Sequence, residues 1–357
     1  MYYYFLLSFF LIAKVYSQIT DSEPHLQVLE IVKNILEEER EKHNIPGMSV
    51  ALFANNQEYF LSFGFADKEN RTYIDAETLF RLGSIAKVFT STVLSIKAIE
   101  GRVNLNDKIS KYLHIKNQPI LNNAFSKISL LNLATHTSSL PRAFPNTPEN
   151  SIKTEDQLIE YLNQWQAPSP AGSNYSYSNL GFSILGIALA RENQSTYMEM
   201  LNSLILEPLK MNATVVDVPD FLISRIATGY HDDKAVERHK RNPINIPSGG
   251  LYSSARDTLK FLKANLGLEG PRNLITAMEF AQKEFFAVSK QLSLGLGWQR
   301  FTTKENILII DKNGELPGFS SYIGIRRQDK KMGIVILVNK DDVNTTAIGR
   351  RILSALK

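Results

Sequence analysis

The sequence contains no cysteine. That absence removes a disulfide framework, a thiol nucleophile, a cysteine-based zinc site and a lipidated N-terminal cysteine. Histidine is scarce: His25, His43, His114, His136, His231 and His239 are the full set, with no HExxH and no close pair on one helical face. Neither a metal nor a cofactor is expected from such a set. An excess of one charge is lacking as well. The 40 basic and 36 acidic residues leave a net charge of +4. No basic block carries interleaved aromatics, so nucleic acid is not an expected partner. No stretch reaches the roughly twenty apolar residues that a membrane-spanning helix needs.

The longest apolar run, Tyr2 to Ala13 in MYYYFLLSFFLIAKVYSQ, has about the dozen residues of a signal-peptide core. Val15 and Ser17 are small enough for cleavage after Ser17. Residues 1–17 therefore read as a signal peptide, with an uncleaved anchor as the other reading. Either exports the rest of the chain, to the periplasm or beyond. The membrane is expected as a partner only through this segment. An exported chain without disulfides is held by its core alone. With 357 residues, 43% of them hydrophobic, the chain can build one.

His25 to His43 has apolar residues at helical spacing, at Leu26, Leu29, Ile31, Val32, Ile35 and Leu36. Met48–Phe53 and Tyr59–Phe65 flank the polar ANNQE and read as a hairpin. From Thr78 to about Met200 the pattern is mostly helical. KVFTSTVLSIKAIEG stops at Gly101, and KISLLNLATHTSSLP reads as a helix ending before Pro141. TEDQLIEYLNQW, LGFSILGIALAREN and Ser253–Gly267 are further helices. The C-terminal part returns to strands at 306–312, 320–328 and 331–340, then a last helix. The first hairpin is not stable alone. It pairs best with the three late strands, giving an α+β fold: a five-stranded antiparallel sheet with the terminal helices on one face. A large, mostly helical domain is inserted. The expected division is residues 18–85 with 245–357 for the sheet domain and 86–244 for the helical one. Residues 217–247 are the least regular.

Three short motifs carry the chemistry. In RLGSIAKVFTS, Ser84 and Lys87 fall at i and i+3, one helical turn apart. A helix N-terminus offers free N–H groups and partial positive charge. A serine hydroxyl needs a base to become a nucleophile, and a lysine with a lowered pKa serves as one. The plainer reading is a capping serine and a surface lysine. In PAGSNYSYSNLGF, Tyr177 and Asn179 stand just before an apolar helix. A phenol near a lysine shuttles protons, and an amide orients a carbonyl. In IIDKNGELPGF, Lys312-Asn313-Gly314 ends one strand and Pro317-Gly318 leads to the next. A cation followed by glycine lets an extended substrate lie on a strand edge. A hairpin turn at Asn-Gly is the alternative. A Ser-His-Asp triad is disfavoured. His136 in HTSSLP reads as a structural helix end, and no G-x-S-x-G is present.

The ordered set resembles the serine β-lactamase and penicillin-binding-protein superfamily. Its nearest likeness is to class C β-lactamases and the related D-Ala-D-Ala carboxypeptidase/endopeptidase branch. IPGMSVALF, TLFRLGSIAKVFTS, GRVNLNDKISKYL, LLNLATHTSSLP, AGSNYSYSNLGFSILG, GYHDDKAV, SLGLGWQRF and KKMGIVILVNK carry the likeness from about Ile45 to Asn339. The resemblance implies an acylated Ser84, activation by Lys87, and proton shuttling by Tyr177. It implies that Asn179 holds a substrate carbonyl, that Lys312, Asn313 and Gly314 line the substrate edge, and that the Ser84 and Glu315 N–H groups form an oxyanion hole. Asn344 matches a carboxylate-contacting asparagine. The implied substrate is a β-lactam or a D-Ala-D-Ala peptide, and a monomer is expected. An ester hydrolase on the same scaffold is a further reading.

The match departs in places. Asn313 stands where the family carries a hydroxyl residue, and Glu315 adds a negative charge. Gly249 replaces an aromatic wall residue, and Arg142-Ala143 falls where a side-chain amide is common.

Overall fold

A computed structural model of the chain describes residues 25–115, 118–119, 124–143, 152–237 and 242–356. The expected signal segment 1–17 and His239 lie outside the described residues. Among the described residues no helix is long and apolar enough to cross a membrane.

Strands β1 (Gly47–Ala54) and β2 (Gln57–Asp67) form the expected hairpin. Asn55 and Asn56 turn it with φ of 51° and 59°. Two left-handed residues give the turn whose twist matches that of the flanking strands. The remaining strands of the sheet are β3 (Thr72–Tyr73), β4 (Phe286–Ala287), β5 (Leu292–Leu294), β6 (Gln299–Thr302), β7 (Leu308–Leu316), β8 (Phe319–Arg326) and β9 (Met332–Val338). Their spatial order is β4-β5-β6-β7-β8-β9-β1-β2-β3, antiparallel throughout. The expected five-stranded sheet is thus the centre of a nine-stranded one. The added strands are only two to four residues long, too short for alternation to reveal them.

Every residue of β1 is buried, because the strand is central and covered on both faces. Met48, Val50 and Leu52 meet Val32, Ile35 and Leu36 of α1 (residues 25–42) and Ile348, Ile352 and Leu353 of the C-terminal helix Thr345–Ala355. Ala51 and Phe53 belong to the larger core on the other face, with Phe89, Leu259 and Phe261. Each such aliphatic or aromatic side chain contributes about 1.5–3 kcal/mol on burial. The two faces alternate along one strand, so a register slip by one residue would exchange them.

The helices around the site include α2 (Ala86–Ile99), α3 (Leu130–Ala134) and α5 (Asn179–Asn193), and α4 (Glu155–Gln164) packs further out. In α2 every residue from Ala86 to Lys97 is buried, as expected of a helix packed on all sides. By contrast α4 buries one face, Leu158, Ile159 and Leu162, and starts at a capping box of Thr154 and Gln157.

The long helix expected up to Pro141 is only α3, a single turn and a half opened by a Ser129–Asn132 capping box. His136 and Ser139 take φ of 56° and 63°, which no right-handed helix accommodates. A second difference concerns Lys312-Asn313-Gly314. It lies inside β7 rather than at its end, with Asn313 opposite Tyr322 and Gly314 opposite Ser321. The turn comes later, at Pro317-Gly318.

Candidate active site

Close backbone approach creates the site. Residues Gly83–Ile85 form a 3-10 turn that feeds α2. Gly83 has φ of 52°, and a Cβ there would stand 2.8 Å from the Glu315 nitrogen. A Cβ on Gly314 would stand 2.0 Å from the Leu82 oxygen and 2.9 Å from the Ser84 nitrogen. Both positions require glycine. Ser321 Oγ donates to the Leu82 carbonyl at 2.8 Å and ties the turn to the sheet. Strand β6 pairs with β7 only from Leu308 to Asp311. Lys312 to Leu316 therefore presents an edge without a neighbouring strand to the Ser84 turn.

Ser84 stands in the middle of this turn, and Lys87 lies in the first turn of α2, three residues on. The Lys87 ammonium is buried and surrounded by three oxygens: Ser84 Oγ at 2.9 Å, Asn179 Oδ1 at 2.8 Å and the Ser248 carbonyl at 2.6 Å. Burial brings its pKa down to about 8, with the Lys312 and Arg142 charges pushing the same way against Tyr177. The two carbonyl oxygens only accept. A neutral amine spends two hydrogens on them, and its lone pair then faces Ser84 Oγ.

Tyr177 approaches Ser84 from the other side, its phenol donating to Ser84 Oγ at 2.6 Å. The cations of Lys87 and Lys312 each lie 5.1 Å from the centre of the Tyr177 ring, and the Arg142 guanidinium carbon lies 5.2 Å from it. Negative charge forming on this phenol during a reaction meets three cations, Lys87 and Lys312 buried and Arg142 exposed. Lys312 is itself buried, and burial brings its pKa to about 8 against the opposing Asp311 carboxylate. Asp311 points the other way, into the Arg350 guanidinium at 2.6 Å. It also accepts from the Tyr322 hydroxyl at 3.1 Å. Strand alternation thus anchors one residue beneath the sheet while its neighbour enters the cleft.

The three distant motifs meet here: Ser84, Lys87, Tyr177 and Asn179 share one hydrogen-bonded network, with Lys312 beside it. Asn179 opens α5 and gives its Oδ1 to Lys87, which leaves its NH2 end to meet a carbonyl. Asn344 does not join. Its side-chain oxygen accepts from Ala347 N at 3.0 Å and caps the C-terminal helix. Partial burial and the neighbouring Asp342 carboxylate push the Glu315 pKa up. His136 is no base for Ser84, since its Nδ1 accepts from the Ser178 N–H at 3.1 Å.

A family model described as Beta-lactamase matches residues 32–357. The chain belongs to the β-lactamase family. A β-lactamase of Yersinia enterocolitica is 28% identical over 358 aligned positions, spanning 90% of this chain and 89% of that protein. One of Lysobacter lactamgenus is 26% identical, spanning 84% of each. A solved class C β-lactamase superimposes with a TM-score of 0.84 at 27% identity, over 93% of this chain and 97% of that one. A class C β-lactamase solved in complex with cefoxitin gives 0.84 at 27% identity, over 92% and 99%. The fold is therefore that of class C β-lactamases, and the chain is a serine hydrolase of this family.

Three participants were not legible in the sequence. The Ser248 carbonyl is a backbone group that any residue would supply. Arg142 marks a departure from family pattern in the sequence, and only the fold sets its charge over the Tyr177 ring. Ser321 looks like one more strand residue until its bond to Leu82 is known.

Proposed function

We propose that this protein opens β-lactam rings through an acyl-enzyme on Ser84. One observation carries the reading: Lys87 and Tyr177 both reach Ser84 Oγ, at 2.9 and 2.6 Å. Neutral Lys87 takes the hydroxyl proton as Ser84 Oγ bonds to the lactam carbonyl carbon. The Ser84 and Glu315 N–H groups receive the oxyanion, a donor of this kind being worth about 3 kcal/mol. The C–N bond then breaks, and the ring nitrogen takes the Tyr177 phenolic proton. Lys87 returns a proton to the phenolate. Water enters the ester, its proton passing through the Tyr177 phenol to neutral Lys87, and as the ester C–O bond breaks Lys87 returns a proton to Ser84 Oγ. The NH2 end of Asn179 orients the substrate side-chain carbonyl, and Lys312 attracts the substrate anion along the Asn313-Gly314 edge.

The apolar run at Tyr2–Ala13 supports export, and the reading places a monomer in the periplasm or outside the cell. Gly249 and Arg142-Ala143 support a second reading, acyl transfer from a D-Ala-D-Ala peptide, and Asn313 with Glu315 a third, a carboxylester, because both weaken the subsite for a substrate carboxylate. Stopped-flow hydrolysis of a chromogenic cephalosporin, with mass spectrometry of quenched samples, decides between them. Rapid turnover with a fleeting Ser84 adduct supports a β-lactamase. A long-lived adduct with negligible turnover supports a peptidase, tested next by D-Ala release. Turnover of activated esters alone supports an esterase.

A further inference from the structure

We infer that His136 is the positioning residue for Tyr177, and that it acts as a neutral imidazole protonated on Nε2. Tyr177 lies in an irregular stretch before α5 and has no helix of its own to fix it. Both flanking amides go to one residue. Ser176 N–H donates to the His136 carbonyl at 2.8 Å, and Ser178 N–H donates to His136 Nδ1 at 3.1 Å. The imidazole also packs against the phenol ring, centroids 4.4 Å apart, and against Phe182 at 4.9 Å.

The left-handed backbone of His136, with φ of 56°, turns carbonyl and ring toward the same strap. The strap is extended on both sides by Gly172 N–H to the Thr137 carbonyl at 2.7 Å and by Asn179 N–H to the Arg142 carbonyl at 2.8 Å. Ser178 completes it by capping α5 and donating to the Pro141 carbonyl at 2.7 Å.

The tautomer follows from the donors. Nδ1 accepts an N–H, so the ring proton sits on Nε2. Among the described residues Nε2 has no hydrogen-bond partner. His136 lines a small cavity with Tyr175, Trp298 and Lys312 behind the phenol. Among the described residues no carboxylate lines that cavity to hold a second proton. Burial and the Lys87 and Lys312 charges keep the imidazole from protonating. A ring protonated on Nδ1 would turn an acceptor into a donor opposite the Ser178 N–H and push Tyr177 off Ser84.

The inference rests on the proposed role of Tyr177 in acyl transfer. Its test uses two variants and two Ser84 reactions. His136→Asn keeps an acceptor at the Nδ1 position and tolerates the left-handed backbone. His136→Phe keeps a ring against Tyr177 and removes the acceptor. We expect His136→Phe to lower kcat for a chromogenic cephalosporin about 10²-fold with KM nearly unchanged, and His136→Asn to retain most of kcat. The same ranking is expected for Ser84 phosphonylation by a fluorophosphonate. That reaction needs no lactam, so a chain inert to lactams but showing this ranking overturns the β-lactam reading and leaves the positioning role. Equal rates in both variants, whether native-like or equally slow, overturn the positioning role. Should His136→Phe not fold, the imidazole 15N spectrum of the native protein decides: a proton on Nε2 at pH 7 supports the inference, and one on Nδ1 overturns it.

Discussion

The backbone of Gly83 touches that of Glu315: a Cβ at position 83 would stand 2.8 Å from the Glu315 nitrogen, at a φ of 52°. The nucleophile turn and the substrate edge are held at this spacing by the lack of a side chain. Gly83→Ala forces both strain and displacement. It is expected to cost about 1–3 kcal/mol of stability and to slow acylation about 10²-fold by misaligning the oxyanion donors. Urea unfolding and acylation by a fluorescent penicillin measure the two effects. Native acylation in the folded variant would rule out the alignment argument.

Ser84→Ala removes the nucleophile and little packing. Covalent labelling is expected to disappear while stability changes by no more than about 1 kcal/mol. Intact-mass spectra after penicillin treatment check this. An adduct formed at the native rate would remove Ser84 from its role.

Lys87 links activity and stability to pH. Its pKa in the folded chain is about 8, against 10.5 for a free lysine. The neutral base form of Lys87 grows as pH rises while the Lys312 cation that attracts the substrate falls over the same range, so kcat/KM for an anionic lactam is expected to pass through a maximum near pH 8. Between about 8 and 10.5 the unfolded chain binds the extra proton, so the lysine's contribution makes stability rise with pH there. Comparing native protein with Lys87→Met at pH 8 and 9.5 isolates that term. The native protein should gain up to about 2 kcal/mol relative to the variant. A constant difference would mean that the folded pKa is not lowered.

Asn313 lies on the free edge of β7, next to Lys312. Asn313→Thr supplies a hydroxyl at that place, and turnover of carboxylate-bearing lactams is expected to improve several-fold, with neutral substrates little changed. Identical kinetics for both substrate types would place residue 313 outside the carboxylate subsite.

Much was legible because the signal was local. MSVALF and KMGIVILVNK read as strands since central strands are apolar on both faces. SIAK read as a nucleophile with its base since three residues make one helical turn. Tyr-Ser-Asn before an apolar run read as a helix entry. The short strands β3 to β6 carried no period. The left-handed residues His136 and Ser139 ended a helix that an apolar pattern extends to Pro141. Asn344 matched a motif by position, and its side-chain oxygen went to a helix cap.

By itself the sequence determined which groups are available and how near neighbours along the chain can stand: a serine with a lysine one turn on, a tyrosine before a helix, a lysine on a strand, and no thiol. Only the tertiary structure decided that these groups meet, Ser84 and Tyr177 being 93 positions apart in sequence. It alone decided that Lys87 and Lys312 lose their water and drop to about 8, because a pKa depends on what surrounds a charge in space. It also gave His136 both amides flanking Tyr177, since a hydrogen bond is set by distance in space and a sequence records only order.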